Sequence, residues 1–161
     1  MNLSFTRIFS FAVPVFILDR LTKIWVVEWL DLRSVYAIDV LPPYLNFRMA
    51  WNDGVNFGLF GSDSDAMRYV LIALALMISL VVLYWVRNAP GWKVPGFAGL
   101  VIGGALGNVF DRIQYGAVAD FLNMSCCGID NRYSFNIADA SIFIGLLGLV
   151  VFMEDKKKTP K

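Results

Sequence analysis

FNIADASIFIGLLGLVVFM, residues 135–153, is the stretch whose reading decides the fold. Residues 140–153 are apolar but fall short of the ~20 residues that a membrane-crossing helix needs. The segment spans only if it begins near Phe135, and that start places Asn136 and Asp139 on the membrane helix. Working back along the chain, residues 94–110 are uncharged and end at Asp111-Arg112, and residues 69–86 are uncharged between Arg68 and Arg87. The first apolar run, from Ile8, is interrupted by Asp19, Arg20 and Lys23. Each charge at a span centre costs ~2.5–3.5 kcal/mol on insertion scales. Asp19 and Lys23, at i and i+4, share a helix face and offset each other in part; an interior partner must offset the rest. The predicted spans are 8–30, 67–86, 94–113 and 135–153, with 31–66 and 114–134 outside. The expected fold is a membrane all-α four-helix bundle with a small outward-facing β-hairpin or sheet between spans 1 and 2, one domain over residues 1–161.

Composition agrees. The 161 residues are 58% hydrophobic and 17% charged, against about 45–50% and 25% in soluble domains. A net charge of +1 gives no field to attract nucleic acid. There is no histidine, which excludes Ser-His-Asp triads, Cys-His dyads and His-ligated zinc. The two cysteines, Cys126 and Cys127, are adjacent and form no zinc-binding CxxC pair. Arg7 and the apolar run after it resemble a signal peptide, but no small-x-small cleavage site follows. Arg7, Arg87, Lys93 and the tail Lys156, Lys157 and Lys158 fall at one set of span ends, which the positive-inside rule makes cytoplasmic, with both termini inside. The lysine tail reads as a topology anchor. Trp25 and Trp29 then fall near the outer interface, and Trp85 and Trp92 near the inner one.

In the outer segment, Leu45, Phe47, Met49 and Trp51 alternate with Asn46, Arg48, Ala50 and Asn52. Val55, Phe57 and Leu59 resume the alternation after Asn52-Asp53-Gly54, a two-strand pattern about a turn. An amphipathic interfacial helix is the competing reading for part of 31–43, ended by Pro42-Pro43. Gly99, Gly103 and Gly107 recur every four residues in the third span, the spacing at which helices approach closely. Gly103-Gly104 lacks the Lys-Ser/Thr of a phosphate loop.

Ionisable groups inside a membrane are expensive and are usually kept for a purpose. The topology gathers Asp111, Asp120 and Asp139 near one depth at the outer face. Two adjoining carboxylates cannot both ionise easily, so the pair holds a proton. One member can then take a proton from water while the other polarises a carbonyl. No metal or cofactor is required. The residues alone leave other readings open. Asp111 could pair with Arg112 or cap a helix, Asp120 could be a solvated loop residue, and Asp139 could pair with Lys23 or Arg112. The carboxylates could also line an ion or proton pathway.

Five motifs in order carry a resemblance: Asp19-Arg20-Leu21-Thr22-Lys23, Asn52-Asp53-Gly54-Val55-Asn56-Phe57-Gly58, the run from Gly103 to Arg112, Val118-Ala119-Asp120-Phe121, and Phe135-Asn136-Ile137-Ala138-Asp139. The chain resembles the lipoprotein signal peptidase (signal peptidase II) family along nearly its whole length. The resemblance implies an aspartyl endopeptidase of the bacterial inner membrane. Such an enzyme removes signal peptides from diacylglyceryl-modified prolipoproteins, cutting before the lipidated cysteine near the periplasmic face. It implies catalytic roles for Asp120 and Asp139, and substrate-binding or supporting roles for Asp19, Lys23, Asn52, Gly54, Asn108, Asp111, Arg112 and Asn136. Asp111-Arg112 is expected to brace the site. No cofactor is implied; the expected partners are prolipoprotein substrates and membrane lipid, around a monomer. Asn56 departs from the family's usual Ala, and Ser125-Cys126-Cys127-Gly128 matches no family signature. The rival from another class is a small proton-coupled transporter or channel subunit, which would usually show inverted repeats; the sequence shows none.

Overall fold

Helix α1 (Leu3–Lys23) runs directly into a π-helical turn (Ile24–Trp29), and a short helix α2 (Leu32–Val35) follows. Strands β1 (Ala37–Leu41) and β2 (Leu45–Asn52) come next, then helices α3 (Ser64–Val86) and α4 (Lys93–Tyr115). Strand β3 (Val118–Asn123) and helix α5 (Ile137–Glu154) complete the order in this computed structural model, which describes residues 3–54, 64–128 and 131–154.

α4 is the central helix, packed against α1, α3 and α5. Its glycines make this possible. A Cβ on Gly99 would lie 2.4 Å from the carbonyl oxygen of Ile8, and one on Gly103 would lie 2.5 Å from that of Ala12. The two backbones are in contact, as small residues at this spacing permit. Gly104 meets the Ala138 carbonyl of α5 in the same way. The far faces of the peripheral helices expose Leu80, Trp85, Phe143 and Val150, each more than 60% accessible. Apolar faces this extensive need an apolar surrounding.

One end of the bundle is basic. Arg7 donates to the Gly91 carbonyl and stacks over Trp92, and Lys93 sits over Phe152. The start of α1, the α3–α4 connection and the end of α5 therefore share one end. The sheet caps the other. Val26, Val27 and Leu32 pack there with Phe47, Ala119 and Phe121.

The expected outer hairpin or sheet is a three-stranded sheet. The strands flanking β2 are β1 and β3, antiparallel in the order β1-β2-β3. The predicted second arm, Val55, Phe57 and Leu59, lies outside the described residues, as do Asn56, Gly58 and the Lys156–Lys158 tail. The segment 31–43 is helical only over α2 before it becomes β1, and β3 comes from the stretch between spans 3 and 4. Alternation marks a strand but not its partner. The count of four spans is likewise not carried by length and composition. Five α-helices are described, and two, Asp65–Val86 and Lys93–Tyr115, are long and apolar enough to cross a membrane. The apolar run Ile137–Met153 is shorter, and α1 carries Asp19, Arg20 and Lys23 in its last turns.

Candidate active site

Asp120 and Asp139 meet where the sheet touches the start of α5. Phe135 is the joint. Its N–H donates to the Leu122 carbonyl at 3.0 Å, and its own carbonyl accepts the Leu122 N–H at 2.8 Å. This ties the residue before Asn136 to the strand that carries Asp120. Asn136 then caps α5. Its side-chain oxygen accepts the Asp139 N–H at 2.8 Å, while the Asp139 carboxylate accepts the Asn136 N–H at 3.4 Å. This reciprocal pattern is a capping box, and it fixes the direction in which Asp139 points.

The other end of the Asn136 amide donates to Asp120 Oδ1 at 2.7 Å. Asn136 is fully buried, and this one residue holds both carboxyl groups, that of Asp120 by its side chain and that of Asp139 by its backbone N–H. Asn52, at the end of β2, donates to Asp120 Oδ2 at 3.1 Å, and Asn108 of α4 donates to Asp139 Oδ1 at 2.8 Å. Asn52 is itself held, since its side-chain oxygen accepts the Gly54 N–H at 3.0 Å. Burial, and then the charge of Asp139, push the Asp120 carboxyl up to about 7, against the pull of hydrogen bonds from Asn52 and Asn136.

Beneath this pair lies a buried ion cluster. Lys23 Nζ lies 3.0 Å from Asp19 and also pairs with Asp111. Arg20 pairs with Asp111 and lies 3.1 Å from Asp19. Two acids balance two bases, and Asp19, Lys23 and Asp111 have no exposed surface. Each acid also accepts a backbone N–H. Asp111 takes that of Ala119 at 3.1 Å, and Asp19 takes that of Ala138 at 3.2 Å.

The structure thus gathers the predicted residues and sets aside three readings that the residues alone left open. Asp111 does not pair with Arg112; its partners are Arg20 and Lys23 of α1, because the glycine contact brings α1 against that face of α4. Arg112 donates to the Asn108 carbonyl at 3.3 Å and contributes positive charge toward Asp139, Asp111 and Asp120. Asp139 pairs with neither Lys23 nor Arg112 among the described residues. Asp120 stands on a strand, 4% exposed, not in a solvated loop. Gly54 has φ +93 and lies against Leu71.

Sequence reasoning missed Arg20 as a member of the cluster, although its position beside Asp19 was a signal. It also missed the Tyr115 hydroxyl, which donates to Glu28 at 3.0 Å and ties α4 to the π-helical turn. Cys126 and Cys127 are exposed thiols, and nothing in the structure explains their pairing.

A pocket of about 310 Å³ lined by Phe135, Asp139, Ala140 and Phe143 opens beside Asp139. Phe143 is 65% exposed on the outer face of α5, so the carboxyl pair is approached from the apolar side of the bundle.

The family model described as signal peptidase (SPase) II matches residues 11–154. A lipoprotein signal peptidase of Methylorubrum extorquens is 37% identical over 134 residues, 83% of this chain and 77% of that protein. One from Methylobacterium radiotolerans is 38% identical over 139 residues, 86% of this chain and 80% of its own length. A bacterial membrane enzyme solved by the in meso method superposes with a TM-score of 0.72 at 25% identity, over 95% of this chain and 93% of that one.

Proposed function

The chain belongs to the signal peptidase II family, an aspartic-type protease family that removes signal peptides from lipoproteins, and from that premise we propose that Asp120 and Asp139 are its catalytic dyad. The observation that supports this most directly is the asparagine network that joins the two carboxyl groups: Asn136 donates its side-chain amide to Asp120 and its backbone N–H to Asp139, while Asn52 donates to Asp120 and Asn108 to Asp139. A pair this close holds one proton between its members at neutral pH. The ionised member takes a proton from a water molecule, whose oxygen attacks the scissile carbonyl. The protonated member hydrogen-bonds the carbonyl oxygen as it becomes an oxyanion. Collapse of the tetrahedral intermediate breaks the C–N bond, and a proton passes to the leaving amine.

The substrate we infer is a diacylglyceryl-modified prolipoprotein, cut before the lipidated cysteine. Its signal helix and acyl chains lie in lipid, so a dyad that serves it must be reached from lipid and from water together. The apolar pocket beside Asp139 and the exposed end of β2 beside Asp120 suit those two approaches. Four spans with both termini cytoplasmic fit this reading. Arg7 and Lys93 share the end opposite the dyad, and the positive-inside rule supports a dyad on the periplasmic side. Membership of a protease family leaves the transporter alternative without support.

The test uses wild type, Asp120→Asn and Asp139→Asn, purified in detergent with a diacylglyceryl-modified prolipoprotein. Cleavage by wild type alone is the expected result. Near-wild-type cleavage by either variant would remove that aspartate from the dyad.

A further inference from the structure

The π-helical turn Ile24–Trp29 carries none of the residues that hold the dyad, yet turns of this kind concentrate at functional sites. Three consecutive residues of it face the outer end of the bundle. Val26 and Val27 are buried against the sheet, and the Glu28 carboxylate accepts the Tyr115 hydroxyl at 3.0 Å. Glu28 also pairs with Arg33 of α2 at 3.3 Å. Tyr115 is the last residue of α4, just ahead of the left-handed cap Gly116. Its ring lies against Trp51 of β2, with centroids 5.4 Å apart and planes tilted by 57°.

Trp51 and Asn52 end β2, paired with Ala119 and Val118 of β3. Successive side chains of a strand point to opposite faces. Ala119 packs with Val26, Val27 and Phe121 on one face. Asn52 meets Asp120 on the other, at 3.1 Å. Tyr115 therefore backs the strand at Trp51 while the next residue donates to the dyad. Element ends open first unless packing holds them, and with Trp51 38% exposed the Tyr115 ring supplies packing at this end.

We propose that Tyr115 is a positioning residue for the cleavage reaction: Glu28 fixes its ring, the ring holds Trp51, and Trp51 keeps Asn52 within hydrogen-bonding distance of Asp120. This inference rests on the dyad reading. The bond from Asn52 favours the ionised Asp120 carboxyl, against burial and the charge of Asp139. A loosened Asn52 leaves Asp120 holding its proton to higher pH. Asp139 of α5 and Arg112 of α4 also face Asp120, and the Tyr115 and Glu28 variants leave both in place.

The full chain in detergent, cleaving a diacylglyceryl-modified prolipoprotein, tests this through kcat, KM and the pH profile of kcat. Tyr115→Leu should lower kcat by about tenfold, the scale of a hydrogen bond to a charged group. Its KM should be unchanged and its alkaline limb should move to higher pH. Tyr115→Phe keeps the ring and loses only the bond to Glu28, so its kcat should fall by about threefold, the scale of an ordinary hydrogen bond. Glu28→Leu should match it. Glu28→Gln should recover the wild-type rate, because its amide oxygen still accepts the hydroxyl although the ion pair with Arg33 is gone. In an Asn52→Ala background the Tyr115 variants should lose little more. Wild-type kcat and pH profile in Tyr115→Leu would overturn the inference. So would losses that add fully to that of Asn52→Ala, the mark of a merely structural role, or equal losses in Glu28→Gln and Glu28→Leu. Tyr115→Phe and Glu28→Leu decide the matter if the leucine variant of Tyr115 does not fold. Asp120→Asn separates the two readings. Cleavage by that variant would remove the dyad, whereas an inert Asp120→Asn beside unaffected Tyr115 variants would sink the positioning role alone.

Discussion

The Asp19 carboxylate of α1 accepts the backbone N–H of Ala138 at 3.2 Å, one residue before Asp139. Asp111 does the same for Ala119, one residue before Asp120. The ion cluster thus holds both segments of the site, β3 and the start of α5, by their backbones, with Arg20 and Lys23 paired to those two acids.

Asp19→Asn is expected to destabilise the fold strongly, because it leaves two bases facing one acid in a dry site. Breaking one partner of a buried pair costs about 3–5 kcal/mol. Thermal unfolding in detergent should show a large fall in Tm. The double variant Asp19→Asn/Lys23→Met should recover much of the loss, since one base then faces one acid again. A single variant as stable as wild type would show that the cluster is not structural.

Asn136→Ser separates the two tasks of Asn136. Serine still caps α5, because Ser and Asn are comparable at this position, but it is too short to donate to Asp120. Cleavage should fall by about 100-fold, the scale of losing one preorganised donor, while Tm drops by only a few degrees. Equal falls in activity for Asn136→Ser and Asn136→Leu would also fit a donor role. Full activity in the serine variant would show that the 2.7 Å contact with Asp120 is dispensable.

Gly54 acts through Asn52. At φ +93 a side chain is strained, and a Cβ would lie 2.3 Å from Leu71 Cδ1. Gly54→Ala should shift the N–H that holds Asn52 and so loosen the Asn52 contact with Asp120. Its kcat/KM should fall by about tenfold. Asn52→Ala should have a comparable effect, and the double variant should be little worse than either, as expected for residues acting through one contact. Additive losses would place Gly54 on a separate route.

Much of this site was legible in sequence because membrane burial makes charges conspicuous. Asp19 and Lys23 announce their pairing by i,i+4 spacing, and the Gly99, Gly103, Gly107 spacing announces close helix contact. Asn136 and Asp139 read as residues at the start of a helix, and they form its cap. What stayed hidden was long-range pairing. Nothing local to Val118–Asn123 shows that β2 is its neighbour, or that Asp111 turns toward Arg20 and Lys23 when Arg112 is adjacent in the chain.

The raised pKa of Asp120 makes a pair of opposed predictions. A carboxyl whose folded value is about 7, against about 3.9 when unfolded, binds its proton more tightly in the folded state. Between those values the folded protein holds more protons than the unfolded one, so stability falls as pH rises through that window. Asp120→Asn cannot ionise and escapes the cost. It should therefore have a higher Tm than wild type at pH 8, and the difference should shrink toward pH 4. Activity moves the other way. The variant should be inert at every pH, and wild-type cleavage should decline above about pH 7 as the dyad loses its shared proton, and again in acid as a second proton enters. Thermal melts and cleavage rates across pH 4–9 check both. A variant no more stable than wild type at pH 8 would show that ionised Asp120 is fully compensated by Asn52, Asn136 and nearby Arg112. In that case the alkaline loss of activity should vanish as well.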